Sequence, residues 1–192
     1  MSKDIPSDQP RAGLTLLSGE QFTDWVSLND SIMGGSSQAD CTVNSDGLTL
    51  RGNLVEEGGG FVSCRSPLLS PPLNLSSYKA FQIDVEGEGR TLKFAVACRD
   101  RFFGLTEIMS GGLRWVSSVT TQVNGITKIE IPFTSLESTV RAKPVNLPFN
   151  FNSSSITQLQ LLHSKFGDKG GPNPGFRPGP IRILLRSIRA IY

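Results

Sequence analysis

The chain has 192 residues and a formal charge of +2, with 19% charged and 38% hydrophobic residues, 20 Gly and 12 Pro. At this length roughly 70% of the unfolded surface can be buried, so one compact domain forms without covalent staples. No run of ~18 apolar residues exists to span a membrane, no secretory or transit pattern marks the N-terminal residues, and Cys41, Cys64 and Cys98 are too few and too far apart for a disulfide framework or, beside a single histidine, a zinc site.

Unpaired cysteines point to a reducing compartment. Met1 to about Gly13, with Pro6 and Pro10 among polar residues, reads as a mobile N-terminal arm. From residue 14 onward the apolar residues recur at every second position rather than at helical spacing. The alternation runs through Leu48, Leu50 and Leu54; Phe81, Ile83 and Val85; Leu92, Phe94, Val96 and Cys98; Leu113, Trp115 and Val119; Ile129, Ile131 and Phe133; and Leu159, Leu161 and His163. Each run predicts a strand with one buried face.

Turn signals separate these runs at Asn44 to Gly47, Gly58 to Gly60, Gly87 to Gly89, Gly111-Gly112 and Asn124-Gly125. Gly87-Glu88-Gly89, flanked by two alternating runs, reads as a hairpin. Thr134 to Val140 has room for a turn or two of helix. Pro144 to Ser155 is a long connection, and Lys165 to Pro180 is too rich in Gly and Pro for a helix or an inner strand. Ile181 to Tyr192 regains strand character. The pattern predicts an all-β, antiparallel β-sandwich or jelly roll over residues 14–192.

Charge is unevenly spread: residues 165–192 carry +5 and the preceding body −3. On a regular strand Arg182 and Arg186 share a face and Arg189 points oppositely. They read either as a charge-protected edge strand or as a docking stripe for an acidic protein or the membrane surface. Nucleic acid is disfavoured, because no aromatics interleave with the basic residues and the body is acidic.

Two segments concentrate unusual residues. In Trp25 to Ser36, Asn29 and Asp30 can accept backbone N–H bonds in a tight turn, while Gly34 and Gly35 permit close backbone approach. This is either a structured corner or a ligand or partner loop. In Gly58 to Arg65, Gly59 and Gly60 precede Phe61, Ser63 and Arg65 on one strand parity, and Arg65 is a candidate ion-pair partner for Asp30. A strand follows these glycines, so they are not a phosphate loop, and Gly87 to Arg90 lacks the third glycine of a dinucleotide fingerprint. His163 stands alone on an apolar strand face, where packing fits better than general-base chemistry. No catalytic residue, metal site or cofactor is indicated. Carbohydrate binding favours exposed Trp or Tyr rings; two of each against eleven Phe disfavour it, with Trp25 and Trp115 as the rings to test.

Together the two segments resemble the complex I intermediate-associated protein 30 family, whose members share W-x-x-x-N-D-x-x-M-G-G-x-S followed by G-G-F-x-S-x-R. Trp25, Asn29, Asp30, Met33, Gly34, Gly35 and Ser36 or Ser37 fit the first motif; Gly59, Gly60, Phe61, Ser63 and Arg65 fit the second. Tyr78, the segment Phe81 to Arg90 and Ile131-Pro132-Phe133 follow in the family's order, over about residues 15–192. Glu88 stands where the family's turn has Asp, and Leu185 and Arg186 where it has acidic residues. The resemblance implies a galactose-binding-like jelly roll, related in shape to carbohydrate-binding modules. It also implies a non-catalytic, chaperone-like assembly factor for the membrane NADH dehydrogenase or related photosynthetic electron-transfer complexes. Its partners would be protein subunits of such a complex, reached through the motif loops and the basic last strand, with peripheral membrane contact. Mitochondrial members carry a targeting extension; a chain that starts almost at the domain points to a bacterial or cyanobacterial cytoplasmic member. A carbohydrate-binding module is the alternative from another class.

Overall fold

The computed structural model describes residues 13–99, 112–148 and 150–192; the expected arm, apart from Gly13, and the turn at Gly111 lie outside them. Thirteen strands occur among the described residues: β1 Leu14–Ser18, β2 Val26–Ser27, β3 Gln38–Asn44, β4 Gly47–Leu54, β5 Phe61–Arg65, β6 Ala80–Glu86, β7 Thr91–Cys98, β8 Leu113–Thr120, β9 Thr127–Pro132, β10 Glu137–Val140, β11 Lys143–Pro144, β12 Ile156–Ser164 and β13 Gly179–Ile191. They form two antiparallel sheets. The first has the order β3-β4-β13-β6-β9, with β1 also on β13; the second has the order β11-β10-β8-β7-β12-β5-β2.

The alternating runs explain the layering. Leu48, Leu50, Phe81, Ile83, Val85 and Ile183 of the first sheet meet Val62, Leu92, Phe94, Val96, Leu159 and Leu161 of the second in one core. The Phe81 and Phe94 rings meet edge to face across it, 5.2 Å between centroids. The intervening residues form each sheet's outer face.

Four expectations need correction. Gly87 to Gly89 does make a tight turn, with the Arg90 N–H donating to Gly87 O at 2.9 Å, but β6 and β7 lie in different sheets. The turn is therefore a corner between layers and not a hairpin, because alternation reports which face is buried and not which strand is the neighbour. Thr134 to Val140 is mostly strand: a 3-10 turn at Phe133–Ser135 leads into β10. β13 is not an edge but an inner strand, held by β4 over its first half and by β6 and β1 over its second. A bulge between Leu185 and Ser187 moves the buried set from Ile181, Ile183 and Leu185 to Ile188 and Ala190, so Arg189 faces outward with Arg182 and Arg186 rather than oppositely.

The fourth concerns the cysteines, two of which are paired, so the reducing compartment inferred from unpaired thiols loses its ground. Cys41 on β3 and Cys64 on β5 form a disulfide with Cα atoms 6.1 Å apart, joining the two sheets, and Cys98 is buried outside it. A spacing of 23 residues carried no hint of this, since the sandwich topology and not proximity in sequence brings the two strands face to face. A covalent loop of that size stabilises by about 3 kcal/mol, chiefly by restricting the unfolded chain. Reduction should accordingly lower the urea midpoint, and identical unfolding curves with and without reductant would show that the bond contributes nothing.

Candidate functional site

Both sequence motifs converge on Asp30, which is fully buried at the start of the 3-10 turn Asp30–Met33. Its Oδ1 accepts the Ser37 N–H at 2.9 Å, and its Oδ2 accepts the Ser37 hydroxyl at 2.6 Å and the N–H groups of Gly60 and Phe61 at 2.6 and 3.3 Å. Burial pushes the carboxyl's pKa up, but the Ser37 hydroxyl and the Gly60, Ser37 and Phe61 amides outweigh it, so the net shift is downward and the group stays ionised. The motif glycines follow from this arrangement. A Cβ on Gly35 would lie 2.4 Å from Asp30 Cγ, and one on Gly59 would lie 2.3 Å from Oδ2. Any larger residue at either position would push the carboxylate out of its nest.

The remaining motif residues divide between scaffold and surface. Trp25 is buried edge-on against Phe22, 5.5 Å between centroids. Asn29 donates from Nδ2 to Ala39 O at 2.9 Å, tying the loop to β3. Gly34 ends the turn, and beside it Met33 and Ile32 stand 66% and 65% exposed. Ser63 is buried; its hydroxyl donates to Leu28 O at 2.7 Å and accepts from Gln160 Nε2 at 2.9 Å, linking the residue after β2 to β5 and β12.

Arg65 is not the partner of Asp30. Asp30 already has its acceptor capacity filled by Ser37 and the Gly60–Phe61 amides, and Arg65 points to the other side of the strand pair. With Phe61 and Ser63 it lies on the outer face of the second sheet, because Val62 and Cys64 between them face the core. No ion pair or hydrogen bond of the Arg65 side chain occurs among the described residues. The charge nearest in effect is Arg114 on β8, whose pKa is lowered by burial and further by the Arg65 guanidinium.

The basic last strand is electrically matched at Arg182 and Arg186. Arg186 binds Glu86 at 2.7 Å and lies 3.6 Å from Asp46, while Arg182 lies 3.7 Å from Glu86. Arg189 is half-buried on the same outer face.

Sequence reasoning overlooked a second polar centre at Arg90, which is 3% exposed with no carboxylate bonded to it among the described residues. Its Nη1 donates to Arg177 O at 2.6 Å and to His163 Nε2 at 3.2 Å, and its Nη2 donates to Pro180 O at 3.0 Å. The His163 Nδ1–H donates to Thr91 O at 2.9 Å, and the ring stacks on Phe176. Burial, only partly opposed by the bond to Thr91 O, pushes the His163 pKa down to about 4, with Arg90 and Arg177 adding to the depression. Both ring nitrogens are engaged, so the imidazole is a structural element that pins the Gly/Pro loop, as the packing role anticipated. The glycine-proline density of residues 165–180 was the one available signal that something must order this loop.

A cleft of 690 Å³ opens near β10 and β11, lined among others by Trp115, Leu136, Glu137, Leu147, Asn150 and Lys169. Its mixture of apolar groups and both signs of charge selects no ligand class. Trp115, like Trp25, is only 6% exposed, so neither ring is a flat platform for a sugar.

A family model described as Complex I intermediate-associated protein 30 matches residues 14–185. No curated protein matches the chain. Among solved structures, the family 11 carbohydrate-binding module of the cellulosomal cellulase Lic26A-Cel5E of Clostridium thermocellum is similar at 16% identity and a TM-score of 0.66, covering 94% of both chains. The Clostridium thermocellum module in complex with a β-1,3-1,4-mixed-linked tetrasaccharide is similar at 16% identity and a TM-score of 0.65, covering 93% of this chain and 95% of that one. The agarase AgWH50C is similar at 12% identity and a TM-score of 0.58, over 95% of this chain but 24% of the agarase. These likenesses identify the fold as the galactose-binding-like jelly roll.

Proposed function

The chain belongs to the complex I intermediate-associated protein 30 family, and from that premise we propose that it is a non-catalytic assembly factor. It binds incompletely assembled subunits of the membrane NADH dehydrogenase or of related photosynthetic electron-transfer complexes, from the cytoplasm and beside the membrane. The observation that carries this reading is the convergence of both family motifs on one braced corner. Asp30 and the two close-packed glycines fix the backbone there, and the same motifs then present Ile32, Met33, Phe61 and Arg65 outward or toward the surface. Recognition loops held on a rigid sandwich are the usual way such a fold acquires a partner. The last strand contributes less than its composition suggests, since Arg182 and Arg186 are matched by Glu86 and Asp46.

Cells lacking the protein should accumulate partial complexes, and affinity purification of the tagged protein should recover their subunits. Fully assembled NADH dehydrogenase and photosystems in such cells would sink the proposal. Saturable binding on a glycan array, lost in Trp115→Ala with the fold intact, would replace it with the carbohydrate-binding alternative.

A further inference from the structure

We propose that Arg65 and Arg114, on the outer face of the second sheet, form a carboxylate-binding site that takes an acidic segment of a protein partner; this rests on the assembly reading above. The pairing register builds the site. Arg65 on β5 stands opposite Gln160 on β12, Gln160 opposite Ala95 on β7, and Ala95 opposite Val116 on β8. Arg114 precedes Val116 by two residues and Ala97 follows Ala95 by two, so all six side chains share one face. The two alanines at the middle leave room for the long side chains on either side to reach over the sheet.

Glutamine side chains hold this floor in place. Arg114 Nη2 donates to Gln158 Oε1 at 3.2 Å, Gln158 Nε2 donates to Ser66 O at 2.9 Å, and Gln160 Nε2 donates to the Ser63 hydroxyl at 2.9 Å. Arg114 Nη1 donates to Leu113 O at 3.0 Å. None of these acceptors carries a charge. Glu137, opposite Val116 on β10, makes no ion pair with Arg114. Lys93, further along the same face, donates to Gly167 O at 2.8 Å and has Asp168 as its neighbouring charge. Arg65 and Arg114 are thus two guanidiniums within each other's field, with no carboxylate bonded to either among the described residues. On the opposite sheet, Arg182 and Arg186 have theirs.

Two like charges held together in a partly dehydrated position are costly until an anion joins them. Guanidinium forks offer paired donors that fit an oxyanion. A carboxylate on a polypeptide is favoured over phosphate by the apolar surroundings. Val26, 50% exposed, stands directly opposite Arg65 on β2, and half-buried Leu162 lies on the same face of β12. An extended acidic segment with apolar neighbours satisfies both features, whereas inorganic phosphate or a lipid headgroup uses only the charge.

The experiment measures binding of a labelled peptide of alternating Glu and Val, its Gln-for-Glu twin, inorganic phosphate and phosphatidylglycerol vesicles. The Glu peptide should bind saturably and more weakly as salt rises. Arg65→Gln and Arg114→Gln should each weaken it by about tenfold or more, as should the Gln peptide. Arg182→Gln, which changes net charge equally, should leave it unaltered. Unchanged melting temperatures would exclude misfolding, and Arg65→Lys, retaining charge without the fork, should bind between the two. Equal affinity of wild type and both Gln variants, or no binding of the Glu peptide, overturns the site. Arginine-dependent binding of phosphate or vesicles in preference to the peptide overturns the carboxylate assignment. In cells, NADH dehydrogenase subunits recovered equally by wild type and the double Gln variant overturn this inference and leave the assembly role standing; no such subunits recovered by wild type overturns the assembly role itself.

Discussion

Replacing Asp30 by alanine should lower the free energy of unfolding by roughly 3 to 5 kcal/mol, the cost typical of breaking a buried charged network by removing one member. The carboxylate is the common acceptor for one hydroxyl and three backbone N–H groups, and it is fully buried. Each stranded donor costs about 1 to 3 kcal/mol, and the loop can relax enough to rescue only some of them. Asp30→Asn preserves the shape but substitutes an NH₂ for one acceptor oxygen, so it should lose less, on the order of 2 kcal/mol. The folded carboxyl has a depressed pKa, so its contribution is complete above the ordinary carboxylate range and fades as pH falls through that range towards the folded value. Urea unfolding below pH 4 should therefore be steeply pH-dependent in wild type and flatter in Asp30→Ala. A change under about 1 kcal/mol would mean that the nest is not a structural centre.

A second large effect should appear between pH 6.5 and about 4, the interval between the ordinary histidine pKa and that of folded His163. Within it the unfolded chain binds a proton that the native protein refuses, so stability rises with pH and is lost on acidification. A shift of this size corresponds to on the order of 3 kcal/mol. The neutral ring accepts from Arg90 at Nε2 and donates to Thr91 O at Nδ1. A proton on Nε2 would remove that acceptor and set imidazolium against guanidinium. His163→Phe keeps the stack on Phe176 and should remove the slope while lowering stability at pH 7. A wild-type curve that stays level from pH 6.5 to 4 would contradict the assigned protonation state. The Asp30 contribution fades at lower pH, which makes the two windows separable.

The strands that the sequence announced are those with one face against the core. β4, β6, β7, β8, β12 and β13 each supply three or more buried residues at every second position, and alternation is the direct imprint of that burial. β2, β10 and β11 are two to four residues long with no buried residue, so they left no periodic trace. Partner choice was equally hidden, because Gly87 to Gly89 looks the same whether it joins neighbouring strands or turns a corner between sheets. The motif residues were correctly singled out, but their division of labour was not. Asp30 and Arg65 looked complementary as charges, yet strand parity puts Arg65 on the far side from the core while backbone amides serve Asp30. Ser37 was legible only as one of two candidate motif serines and Arg90 only as the end of a turn, while Arg114 had no distinguishing sequence context. Each acquires its role from a residue seven to ninety positions away.

The position of β13 in the chain governs the order in which the protein can be built during synthesis. β4, β6 and β1 all emerge from the ribosome before the strand that joins them, and β4 and β6 are never direct neighbours. The five strands β5, β7, β8, β10 and β12, by contrast, find all their partners in the second sheet before residue 165. The layer bearing Arg65 and Arg114 can therefore gain its hydrogen bonds while the chain is still tethered, and the other layer waits with bare edges for Gly179–Ile191. A nascent chain stalled before that point offers open strand edges and half of a hydrophobic interior to its neighbours, the condition in which β-proteins aggregate. The protein's own most vulnerable moment falls just before translation of the last strand is complete.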